Sequence, residues 1–167
     1  MTTSFSNTAR RLAAAVAFAA LMGSALPALA YDVNSPAAIN VDAKGVILRG
    51  VDATTYATGA APVAGSPDYI AKVGGATYHF ASGASRDKFL AASATFEPAF
   101  GGFCATGAAL GKKLDGDPAI FRIYKGKLYV FVSKDAVALW DKDPAGTLAK
   151  ANANWPNISN KTPASLE

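Results

Sequence analysis

The sequence predicts an α+β domain built from two antiparallel β-hairpin-plus-helix units packed as one small domain, with short additional helices. Three observations carry that prediction. Gly74-Gly75 and Lys125-Gly126 each separate short segments of alternating polarity, the pattern of a hairpin turn that needs positive φ. Ser82 and Ser133 follow the returning strands, where a helix N-cap belongs. A shift of 51 residues then lays one region on the other. Gly75-x-x-Tyr78-x-Phe80-x-Ser82 becomes Gly126-x-x-Tyr129-x-Phe131-x-Ser133, Phe89 maps onto Trp140, and Ile70 and Val73 map onto Phe121 and Tyr124.

Taken in order, residues 1–30 have the layout of a secretory signal. Arg10 and Arg11 precede an apolar run from Leu12 to Leu21, and Ala28-Leu29-Ala30 offers a small-residue cleavage site. The run is too short and too alanine-rich for a membrane span, so export with cleavage before Tyr31 is expected, to the periplasm and by the general secretory route. Residues 31–44 read as an extended arm. Gly45 to Gly50 reads as a short strand between glycines, Asp52 as the N-cap of one turn ending near Tyr56, and 58–67 as a loop rich in Gly, Ala, Pro and Ser. Asp68–Val73 and Ala76–Ala81 form the first hairpin. Between the units, Gly101-Gly102-Phe103-Cys104-Ala105 suggests a loop entering a short helix at Cys104, whose N-terminus would favour the thiolate. Ser133 caps a helix to about Lys142, and Asp143-Pro144 opens another that reaches Trp155-Pro156. Residues 159–167 are a tail.

Composition narrows the function. Without residues 1–30 the chain has 167 − 30 = 137 residues, enough for one core, and its net charge falls from +4 to +2 with the loss of Arg10 and Arg11. The largest basic cluster left is Lys112-Lys113, so nucleic acid is not an expected partner. Both methionines lie in the first 30 residues, which excludes a Met-rich copper site. One cysteine, Cys104, forbids an internal disulfide. There is no Walker loop, HExxH, CxxC or dinucleotide fingerprint, so a binding module is expected rather than an enzyme. The two Asn-x-Ser/Thr matches at Asn157 and Asn160 are discounted because the signal looks bacterial.

The ordered motifs Gly50-x-Asp52…Tyr56, Gly75-x-x-Tyr78-His79-Phe80-Ala81-Ser82, Arg86-Asp87-x-Phe89, Gly101-Gly102-Phe103-Cys104-Ala105, Asp117-Pro118, Gly126-Lys127-Leu128-Tyr129 and Asn154-Trp155-Pro156 resemble the exported YHS-domain proteins. The likeness implies a YHS-like domain over residues 45–158. It departs from the family at Phe80, where the Tyr-His-Ser motif has serine, and at Val51, where many relatives carry tyrosine. YHS domains are also appended to copper-transporting ATPases and to some oxygenases, so the resemblance implies heavy-metal handling.

Candidate residues follow. His79, the only histidine, lies on the opposite face of its strand from Tyr78 and Phe80; it is a solvated strand residue or a ligand. Cys104 is a small, partly buried apolar residue or a thiolate with access through the Gly-Gly approach. A soft-metal site would use Cys104 and His79, with copper as its ion, and Asp52 or a water beside them. Asp52, Tyr56, Tyr78 and Phe103 are the candidate ligand-binding residues. The alternative is a pocket without metal, for a small molecule or another exported protein. A Cys104–His79 catalytic pair is the remaining reading.

Overall fold

The computed structural model describes residues 1, 32–58 and 61–167. The expected secretory signal, apart from Met1, lies outside the described residues. Among these, no helix is long and apolar enough to cross a membrane.

The expected α+β architecture is present. β1 (Ser66–Val73) pairs antiparallel with β2 (Ala76–Phe80), and β3 (Asp117–Tyr124) with β4 (Lys127–Phe131). Each hairpin turns on two residues of positive φ, Gly74-Gly75 and Lys125-Gly126, as the alternation predicts. Each is followed by a nine-residue helix, α1 (Gly83–Ala91) and α4 (Lys134–Lys142). The Ser82 hydroxyl accepts the N–H of Ser85 at 3.1 Å, and the Ser133 hydroxyl that of Ala136 at 3.2 Å. The remaining α-helices are α2 (Ser93–Phe96), α3 (Ala105–Ala109) and α5 (Pro144–Ile158), with Asp143 accepting the Gly146 N–H at 2.8 Å to cap the last.

The internal repeat is longer than the hairpins. Upstream of each lies a left-handed triplet, Leu48-Arg49-Gly50 and Phe100-Gly101-Gly102, all six residues with φ between 51° and 85°. The chain then makes a β-bridge back to the strand leading into the hairpin, Val51 to Ala64 and Phe103 to Asp115. The Asp52 N–H donates to Val63 O and the Cys104 N–H to Leu114 O, both at 2.9 Å. Both hairpins carry the same bulge, between Ser66 and Ile70 and between Asp117 and Phe121. The short strand expected over Gly45–Gly50 is therefore corrected: only Val46 and Ile47 bridge, to Thr77 and Val41, and the chain turns left-handed from Leu48.

Two cores match the two units. Tyr78 and Phe80 pack on Phe89 at centroid distances of 4.5 and 5.1 Å in the first. In the second, Trp140 gathers Tyr124, Tyr129 and Phe131 at 5.8, 4.9 and 5.4 Å. β4 joins them, because Leu128 and Val130 face the first core while Tyr129 and Phe131 face the second. α5 continues through Pro156 to Ile158, two residues beyond the end expected from the proline, and Trp155 lies edge-on to Phe100 at 5.4 Å.

Close backbone approach makes one requirement of both units. A β-carbon on Gly65 would meet the His79 backbone at 2.5 Å, and one on Gly116 would meet Gly102 O and the Val130 side chain at 2.5 Å. Gly126 has open space and only its φ of 74° to oppose a side chain. Gly65→Ala and Gly116→Ala are each expected to cost about 2–3 kcal/mol in urea denaturation, and Gly126→Ala about 1 kcal/mol. An equal or larger loss at Gly126 would contradict the close approach.

Candidate functional site

The expected copper site is not built. Among the described residues, no three His, Cys, Asp or Glu side chains come together in a group able to hold a metal ion. The two proposed ligands have separate duties. Cys104 is wholly buried in the second core and caps α3, its sulfur accepting the Gly107 N–H at 3.3 Å. Further N–H groups from Thr106 and Val132 point at the sulfur. Burial outweighs these donors and pushes the thiol pKa up, so the expectation of a thiolate at this helix start is corrected. His79 is half-buried on β2, its Nδ1 3.2 Å from where a β-carbon on Gly50 would lie. In the repeat it matches Val130, a fully buried apolar residue. The ring thus lies against Gly50 of the first left-handed triplet.

The candidate ligand-binding residues also separate. Asp52 is fully buried. Its Oδ1 accepts the Thr54 N–H at 2.9 Å and hydroxyl at 2.8 Å, and its Oδ2 accepts the Ala81 N–H at 3.0 Å. It closes the first unit as Cys104, beside Val132, closes the second. The Tyr56 hydroxyl donates to Pro118 O at 3.0 Å, and its ring meets Phe121 edge-on at 4.8 Å. Burial, and next the charge of Asp117, raise its pKa well above the usual phenol range. Tyr78 is raised by burial too, with Glu97 as the lesser cause.

Phe103 is the residue of this set that lines a sizeable cavity. The arm from Asp32 to Ala43 and the Phe103 ring line an open-sided cavity of about 560 Å³, with Val33, Ile39 and Val41 as apolar wall and Asp32, Asn34, Ser35 and Asp42 as polar neighbours. That volume suits a small organic ligand. Lys113, only 1% exposed, holds the arm down. Its Nζ donates to Ala37 O at 2.7 Å, to Lys161 O at 2.8 Å and to Ser159 O at 3.0 Å, and lies 4.7 Å from the centre of the Phe103 ring. Burial lowers its pKa from the ordinary lysine value. The arm is also tied at Val33, whose carbonyl accepts the Ala164 N–H at 3.0 Å, and at Asn40, whose N–H donates to Gly101 O at 2.8 Å. A second concavity of about 720 Å³ is an open groove between β3 and α4, crossed by the Arg122–Asp141 ion pair at 2.7 Å.

The arm cavity is absent from the sequence-derived expectations apart from Phe103. Lys113 was visible there only as half of a basic pair, and apolar Ile39 and Val41 alternating around Asn40 were the signal that the arm packs on something. No family model, no curated protein and no solved structure matches the chain.

The buried thiol generates a prediction. Cys104 should react with a disulfide reagent only as fast as the protein opens, and at the rate of a free thiol once unfolded. Its folded pKa lies above the unfolded one, so as pH passes the ordinary thiol value of 9.0 the unfolded state loses its proton first. The thiol's contribution to stability is therefore complete below that range and falls above it. Cys104→Ser should lack this component of the decline, read as the difference between the two proteins' urea midpoints from pH 7 to 10. Rapid labelling of the folded protein, or identical pH profiles, would contradict the burial.

Proposed function

We propose that the chain is an exported YHS-like binding module that takes a non-metal small molecule in the cavity beneath its N-terminal arm. The observation that carries this reading is the cavity itself: about 560 Å³, walled by Val33, Ile39, Val41 and Phe103, with two carboxylates at hand. An apolar concavity with a few polar groups is the usual architecture of a small-molecule site. The ordered motifs around Asp52, Tyr78-His79, Cys104 and Trp155 support the YHS-like assignment, and the signal layout of residues 1–30 supports export.

The test is a screen of small organic compounds by ligand-observed NMR, run on the protein and on Val41→Trp, which fills the cavity. Compounds that bind the protein should lose at least about tenfold in affinity for the filled variant. Binders that ignore the filling would place the site elsewhere and overturn the reading.

A further inference from the structure

The second hairpin leaves a strand edge open beside its helix. In an antiparallel ladder, paired residues alternate between facing their partner strand and facing away. Beside the turn of the first hairpin, Thr77 faces away from β1, donating to Gly45 O and accepting from the Ile47 N–H. The second hairpin has the same register, so Phe121 and Ile123 of β3 direct their backbone groups away from β4. The Phe121 N–H and both backbone groups of Ile123 have no hydrogen-bond partner among the described residues. Phe121 O has a stand-in donor, Arg122 Nη1 at 2.9 Å, while Nε and Nη2 of the same side chain hold Asp141. An added strand's N–H could replace Nη1 there and leave the ion pair intact.

This edge, residues 119–123, is one wall of the groove of about 720 Å³. The other wall is Lys134, Val137, Ala138 and Asp141, the i, i+3, i+4, i+7 face of α4. Nine helical residues run about 13 Å, the length of about four strand residues. The first unit closes the corresponding place. A shift of 51 residues puts Gly83, Arg86, Asp87 and Leu90 at these four helix positions. The Tyr69 ring lies 3.8 Å from where a β-carbon on Gly83 would be, and the Arg86–Asp87 ion pair stands where α4 has Val137 and Ala138. The second unit has the smaller Ile120 in place of Tyr69 and an apolar middle to its helix wall.

We propose that this groove docks an extended peptide segment of another protein, which joins β3 as a third strand. Backbone groups of Phe121 and Ile123 bind its main chain, and alternate apolar side chains lie on Val137 and Ala138. Lys134 forms no ion pair among the described residues, so a carboxylate on the segment suits that end of the groove. A second copy of the chain is the poorer occupant. Two β3 edges pairing Phe121 with Ile123 across a two-fold axis would set Arg122 directly opposite Arg122, and like charges so placed repel.

The probe is a phage-displayed library of random heptapeptides selected on the full chain. Selected sequences should alternate apolar residues and carry a carboxylate. As free peptides they should shift the amides of Phe121 and Ile123 and slow their exchange. Ala138→Trp, on the exposed wall, should lower affinity at least about tenfold, and Lys134→Glu about threefold or more. N-methylation of the peptide on alternate residues, which removes the N–H groups facing β3, should cost about tenfold without altering the protein. The proposal is overturned by a library that enriches no sequence over the Ala138→Trp protein, by affinity unchanged in either variant, or by N-methylation tolerated at every position. Shifts of Phe121 and Ile123 that follow protein concentration without peptide would assign the groove to a second copy and equally overturn it.

Discussion

One buried ammonium holds the site in place. Lys113 lies in the segment between α3 and β3, yet its Nζ reaches the carbonyls of Ala37 in the arm and of Ser159 and Lys161 past the end of α5. Three pieces of chain far apart in sequence converge on one charge. Burying that charge costs several kcal/mol unless its donors are satisfied. Three carbonyl acceptors and the face of Phe103 satisfy it, at 2.7–3.0 Å and 4.7 Å. No carboxylate takes part. The lowered pKa reflects the same burial. Without this tie the arm keeps its backbone links at Val33 and Asn40, the Asn40 side-chain bonds to Gly102 and Asp115, the Val41–Ile47 bridge and the turn from Asp42 to Val46. The arm lines the cavity, so the cavity depends on the lysine.

Beneath the arm, one backbone plan is used twice with different chemistry at equivalent places. The left-handed triplet, the bridge, the bulged hairpin and the serine-capped helix recur with matching register. The N–H just past β2, at Ala81, finds a carboxylate in Asp52; the N–H at the equivalent Val132 finds the sulfur of Cys104. The lone cysteine is the second unit's version of a buried structural acceptor. His79 likewise stands where the second unit has Val130, and its half-burial follows from the first hairpin's position at the rim of the domain, while β4 lies between both cores. The residues that look most like metal ligands in the sequence are thus local closures of two similar units.

That contrast explains what was legible. Hairpins, helix caps and the repeat depend on residues within a few positions of each other, so Gly74-Gly75, Ser82, Ser133 and Asp143-Pro144 could be read directly. Cys104 at a helix start was legible too, but its protonation was not, because a thiol's pKa depends on what packs over it. The pairing of Cys104 with His79 failed for the same reason: a shared site is a statement about distant contacts, and each side chain was already engaged by its own unit. The left-handed triplets were hidden because Leu48, Arg49 and Phe100 are not residues that advertise positive φ. Lys113 gave no local sign of burial, since its three acceptors are backbone carbonyls and carry no side-chain signature.

The most direct test is amide hydrogen exchange on Lys113→Met, which keeps the unbranched side chain to within one heavy atom of its length and removes its charge and donors. Asn40 and Ala164, whose N–H groups tie the arm to Gly101 and to Val33, should exchange at least about tenfold faster in the variant. Tyr129 and Val130 in β4 should keep their protection relative to the most stable amides, showing that the hairpin core persists. Unchanged exchange at Asn40 and Ala164 would show that the arm stays closed without the ammonium and would contradict its role as the tie that forms the cavity.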